Sequence, residues 1–132
     1  MYKMLLGLLA LIGISFQPEL QDTSKPEPFF GVICRTEKQA ATLARYTFSR
    51  LIEGVEAIKK VNAENGGNAC GVPDTILLAY YDSESPLFEI GDAHYMTAKL
   101  VVIGRVEGVN TLRLLPKPIV RYVVTYKIIR LV

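Results

Sequence analysis

The sequence predicts an α+β fold: a short N-terminal strand, a disulfide-linked helical hairpin, then an antiparallel β-meander packed on the helices, curled or barrel-like in one version. Three observations predict it. A capping box opens a stretch of helical periodicity between residues 36 and 64. From residue 75 onward the chain is rich in β-branched and aromatic residues, punctuated by turn signals. Two cysteines, Cys34 and Cys70, flank the helical stretch. The length of 132 residues suits one domain, and 50% hydrophobic with 21% charged residues excludes a wholly disordered chain.

The N-terminus reads as an export signal. Met1, Tyr2 and Lys3 form a singly basic start, and residues 4–14 are uncharged and apolar. Gly13 and Ser15 are small residues at the spacing signal peptidase uses, with cleavage expected after Ser15. The run is shorter than the roughly 20 residues a membrane span needs, so no transmembrane segment is expected after cleavage. The expected localisation is therefore periplasmic or secreted. The alternative is a domain tethered to the membrane by an uncleaved first segment. Residues 16–28 carry Pro18, Pro26 and Pro28 among polar residues and read as a flexible tether. The single domain is expected over residues 29–132, beginning with a strand over residues 29–33.

Export makes a disulfide the expected state of an even cysteine count, and Cys34 with Cys70 allows one connectivity. Closing that loop stabilises a domain by roughly 3–4 kcal/mol in the chain-entropy model. The bridge also constrains the helices. Thr36 and Gln39 form the capping box, and Ala40, Leu43, Ala44, Thr47, Phe48 and Leu51 recur at helical spacing. Val55, Ile58 and Val61 continue the stripe until Asn65-Gly66-Gly67-Asn68 ends it. One straight helix over 37–64 would be about 42 Å long. The five residues after it reach back less than about 20 Å, whereas a disulfide needs Cα atoms within about 7 Å. The chain must therefore reverse, and Gly54 marks the weakest point of the pattern.

The remainder reads as strands. Residues 75–81 form one run, Asp82-Ser83-Glu84-Ser85-Pro86 a polar turn, and residues 87–90 a short run before the Gly91-Asp92 hairpin signal. Residues 95–106 and 109–115 follow. Pro116-Lys117-Pro118 breaks the pattern before a last strand over 119–131.

Cys34 stands before the first expected helix, Ala57 and Val61-Asn62 in the second, and Cys70-Gly71-Val72 after it. On these residues the layout resembles a family of small exported bacterial proteins with one disulfide and no known activity. The Leu100-Val101-Val102-Ile103-Gly104 run and a Tyr-rich last strand complete the resemblance. It covers residues 30 to 130, and the Arg- and Lys-bearing late strands depart from the family's pattern. The resemblance implies export, a disulfide and an α+β fold.

No catalytic set emerges, so the chain reads as a non-enzymatic binding or structural domain. One His and two Cys cannot build a Cys/His zinc site. Asp82, Glu84, Glu89 and Asp92 lack EF-hand spacing. No cofactor or metal is expected. The alternative reading is a small hydrolase or accessory protein with a site near residues 82–95, where His94 follows the turn. The charge distribution is more informative. Residues 16–92 hold seven Lys and Arg against twelve Asp and Glu, whereas residues 93–132 hold seven against one. Strand alternation gathers Lys99, Arg105, Arg113, Arg121 and Lys127 into a candidate basic sheet face, with the apolar face turned to the helices. Such a face can recruit an anionic surface or an envelope protein; the alternative is ordinary edge protection and solubility. Nucleic acid is disfavoured, because the chain reads as exported and carries no nucleic-acid motif.

Overall fold

The structure, a computed structural model, describes residues 25–129. The expected export signal and most of the expected tether lie outside the described residues. Strands β1 (Glu27–Phe29), β2 (Ile33–Cys34), β3 (Cys70–Gly71), β4 (Leu77–Ile90), β5 (Ala93–Glu107) and β6 (Thr111–Ile128) form one antiparallel sheet. Its order is β1-β4-β5-β6-β2-β3. Helices α1 (Glu37–Ala44) and α2 (Gly54–Glu64) pack on one face. Strand pairing thus begins at Glu27, two residues ahead of the expected start.

The helical hairpin forms as its local sequence dictates. The Thr36 hydroxyl accepts from the Gln39 backbone N–H, and the Gln39 side chain accepts from the Thr36 N–H, both at 3.1 Å. A π-helical turn, Arg45–Ser49, extends α1. The reversal itself sits at Leu51, which adopts a left-handed φ of 57°. Gly54 stands beside it as the first residue of α2. The Tyr46 hydroxyl donates to the Glu64 carboxylate at 2.7 Å, tying the end of the first arm to the end of the second.

The return to Cys70 depends on Asn62. Gly66 and Gly67 follow α2 at φ 82° and 114°, conformations that side chains disfavour. The Asn62 side chain then accepts from the Ala69 and Cys70 N–H groups at 2.9 and 2.8 Å and donates to the Cys70 carbonyl at 3.0 Å. Cys70 is thereby set directly opposite Cys34 in the β2–β3 ladder. The two are joined by a disulfide with Cα atoms 4.1 Å apart.

The sheet is rolled but not closed into a barrel. Only residues 30–32 separate β1 from β2, so Phe29 and Ile33 are at most about 14 Å apart. In a flat sheet the four intervals from β1 to β2 would span about 19 Å. Curling resolves the mismatch. It also explains a second core, on the face without helices. Leu77, Ala79, Ala98, Leu100, Val102 and Val123 are buried there, with Phe29, Ile33, Tyr81 and Leu115 packed around them. The first core lies between sheet and helices, around Cys34, Ala40, Leu43, Ala57 and Val61. β1 and β3 remain as the open edges.

Three local expectations are corrected. The strand expected over 29–33 is divided, because β1 pairs with β4 while β2 pairs with β6 and β3. The turn expected over 82–86 lies inside β4. Asp82 and Leu87 are extra residues, and Ser83, Glu84 and Ser85 still pair with Lys99, Ala98 and Thr97. The ladder tolerates the polar stretch because bulges absorb it. The break at 116–118 bends β6 without ending it: residues 115–118 stand where β5 offers only Ile103. Gly104 makes that bend possible, since a Cβ there would meet the Arg113 carbonyl oxygen at 2.9 Å.

Candidate functional site

Strand register decides where the five basic candidates go, because directly opposed residues share a face. Arg121 opposes Leu100, Lys127 opposes His94, and Arg105 opposes both Leu77 and Arg113. These four therefore lie on the face turned away from the helices. Lys99 does not. It opposes Tyr122, which packs on the helical core, and it follows Thr97, whose hydroxyl donates to Glu37 of α1 at 3.1 Å. Alternation predicts that Lys99 and Arg105 share a face, but Ile103 is an extra residue between them and reverses the parity.

Most of these cations are already paired. Lys99 meets Asp82 at 3.5 Å and Lys127 meets Glu84 at 3.9 Å. Arg105 and Arg113 both reach Glu107 at 2.9 Å. Arg121 differs: its guanidinium donates to the Val120 carbonyl at 2.8 Å, and no carboxylate lies within 4 Å of it among the described residues. It stands opposite Leu100 in the β5–β6 ladder and is partly exposed.

Arg121 also separates two cavities. One, of about 180 Å³, opens at the mouth of the roll and is lined by Leu77, Val102, Leu115 and Ile119 with Arg105 and Arg121. The other, of about 220 Å³, lies over the disulfide, between Arg121, Arg35, Asn68 and Pro73. The structure therefore gathers Arg105 and Arg121 at one opening, with Arg113 joined to them through Glu107. Lys127 lies six residues along the strand from Arg121, about 20 Å away.

The alternative site near residues 82–95 has a different character. His94 opposes Glu89, with Nδ1 3.5 Å from the carboxylate, and the glutamate side chain is two-thirds exposed. Neither cavity includes His94. On the opposite face Tyr95 stacks on Phe48 at 4.4 Å between ring centroids, with Phe88 and Tyr126 at 5.2 and 5.8 Å. This cluster fixes the far end of the three long strands to the helical hairpin. Among the described residues no three His, Cys, Asp or Glu side chains converge on a common point. None of the described helices is long and apolar enough to cross a membrane.

The Glu107 carboxylate beside Arg105 and Arg113 has a lowered pKa. Hydrogen bonding from Arg113 holds it below the usual range, partial desolvation opposes this, and the Arg105 hydrogen bond adds to the lowering. A lowered folded-state pKa contributes stability above the unfolded value, and that contribution is lost as pH falls through the folded value. In a carboxyl-resolved NMR titration, Glu107 is expected to protonate below the ordinary glutamate range. Arg113→Gln should move its midpoint upward; an unmoved midpoint would show that the pair does not persist in solution.

No family model, curated protein or solved structure matches this chain. The functional reading therefore rests on the residues themselves.

Proposed function

We propose that the chain is a small exported domain, without catalytic activity, that binds an anionic partner through the arginines at the mouth of the rolled sheet. The observation carrying this reading is the position of Arg121. It lines both cavities and has no carboxylate partner among the described residues, whereas the other four candidate cations each have one. A guanidinium held at an apolar opening keeps its charge and presents a planar donor set suited to an anion. The Cys34–Cys70 bridge supports an oxidising compartment, in agreement with the apolar N-terminal run. The resemblance to exported one-disulfide proteins belongs to the same reading.

Changing Arg105, Arg121 and Lys127 together to Gln tests it. The melting temperature should hardly change, because exposed charges contribute little to stability. Cosedimentation with phosphatidylglycerol vesicles, or retention on an acidic polysaccharide at low salt, should fall sharply. An unaltered protein that binds neither at low salt would refute the proposal.

A further inference from the structure

The geometry points to a ligand class for this opening: we infer that it takes a single-chain amphipathic carboxylate, with the headgroup on Arg121 and the tail in the mouth of the roll. The inference rests on the proposed anion-binding reading and makes it chemically specific. Three features carry it.

The first is the lining. Leu77, Val102, Leu115 and Ile119 form apolar walls, and the two polar side chains at this opening are arginines. A purely ionic ligand would leave those walls in water, and a purely apolar one would leave the guanidinium unmatched. A molecule with one anionic end and one apolar end satisfies both.

The second is the charge available. Arg105 is engaged by Glu107 at 2.9 Å, which leaves Arg121 as the cation free for a ligand. One free guanidinium matches a monoanion, and its fork pairs with a carboxylate through two parallel hydrogen bonds.

The third is size. A cavity of about 180 Å³ falls below the roughly 300–1,000 Å³ of pockets that enclose drug-sized ligands. It suits a single narrow chain and not a fused ring system or a two-chain lipid. The bend of β6 around Gly104 creates the space, because residues 115–118 swing out from the β5 ladder there. The opening is thus a product of the backbone and not of a mobile side chain.

Isothermal titration of the full chain with octanoate tests the inference, with acetate as head without tail and 1-octanol as tail without head. Octanoate is expected to bind with one-to-one stoichiometry and both controls far more weakly. Arg121→Gln should weaken octanoate about ten-fold or more, as expected for loss of a charge-assisted contact. Ile119→Trp should block uptake by filling the mouth, while Val109→Trp, on the remote β5–β6 turn, should leave it unchanged. Retention of the disulfide and a cooperative melt show that each variant is folded. Octanol binding as tightly as octanoate would overturn the headgroup assignment. Binding that survives both Arg121→Gln and Ile119→Trp would overturn the site. If octanoate does not bind but phosphatidylglycerol vesicles do, the ligand class is wrong and the broader anion-binding reading stands. If octanoate, the vesicles and the acidic polysaccharide are all left unbound, both fall. A concentration-dependent dimer that excludes octanoate would identify a second copy as the occupant and overturn the inference.

Discussion

Removing the disulfide is expected to lower the stability of the domain by roughly 2–5 kcal/mol. The bridge closes a 36-residue separation that contains the whole helical hairpin. Without it the unfolded chain regains that loop's freedom, while the folded state loses few contacts, since Asn62 still holds Cys70 in place. The double variant Cys34→Ala, Cys70→Ala, compared by urea denaturation with the oxidised protein, measures the effect. The oxidised protein should show no free thiol when denatured without reductant. A double variant as stable as the oxidised protein would mean that the loop is already restrained in the unfolded chain.

Leu100→Ala is expected to have a comparable effect, about 2–5 kcal/mol. Leu100 is 1% exposed and sits at the centre of the core inside the roll, between Tyr81 on β4 and Arg121 on β6. The truncation leaves a cavity among Ala79, Ala98, Val102, Val123 and Tyr81, side chains fixed by the strands that carry them. Val109→Ala provides the comparison: Val109 is 91% exposed, and its loss should change stability by less than about 0.5 kcal/mol. The Leu100→Ala transition should remain a single step by fluorescence and circular dichroism. Two separated steps would show that the inner core and the helical core melt independently.

Local features of this fold were legible in the sequence, and long-range ones were not. Thr36 and Gln39 cap α1 because the capping box acts over three residues and needs no tertiary partner. The chain reversal followed from a distance that two cysteines could not otherwise span, although Leu51 and not Gly54 takes the unusual backbone angle. The polar stretch from Asp82 to Pro86 has turn composition, and only the pairing of Ser83, Glu84 and Ser85 with β5 shows it to be strand. A curled sheet was one reading of the sequence, but not the pairing that curls it, which depends on β1 and β2 choosing different partners on opposite sides of the sheet.

The same limit applies to the site. Arg105, Arg113, Arg121 and Lys127 share a face, but Lys99 was assigned to it by a period of two that one extra residue, Ile103, interrupts. The carboxylates that neutralise most of these cations come from β4 and from the end of β5, and their pairing requires knowledge of register. The special position of Arg121 appears only once the sheet has curled.

The short link between β1 and β2 has a consequence for the order in which this chain assembles. Phe29 finds its partner at Leu77, and Cys34 finds Tyr122. Neither partner surface exists until β4, β5 and β6 have come together, and those strands are joined by short turns at 91–92 and 108–110. Contacts between distant parts of a chain carry the larger loop-closure cost and form late. Strands β1 and β2, though they precede β4–β6 in the chain, are therefore expected to dock after them, drawing the two sides of the sheet together. A chain lacking β6 would hold its helical hairpin but leave β2 without the partner it takes at Tyr122.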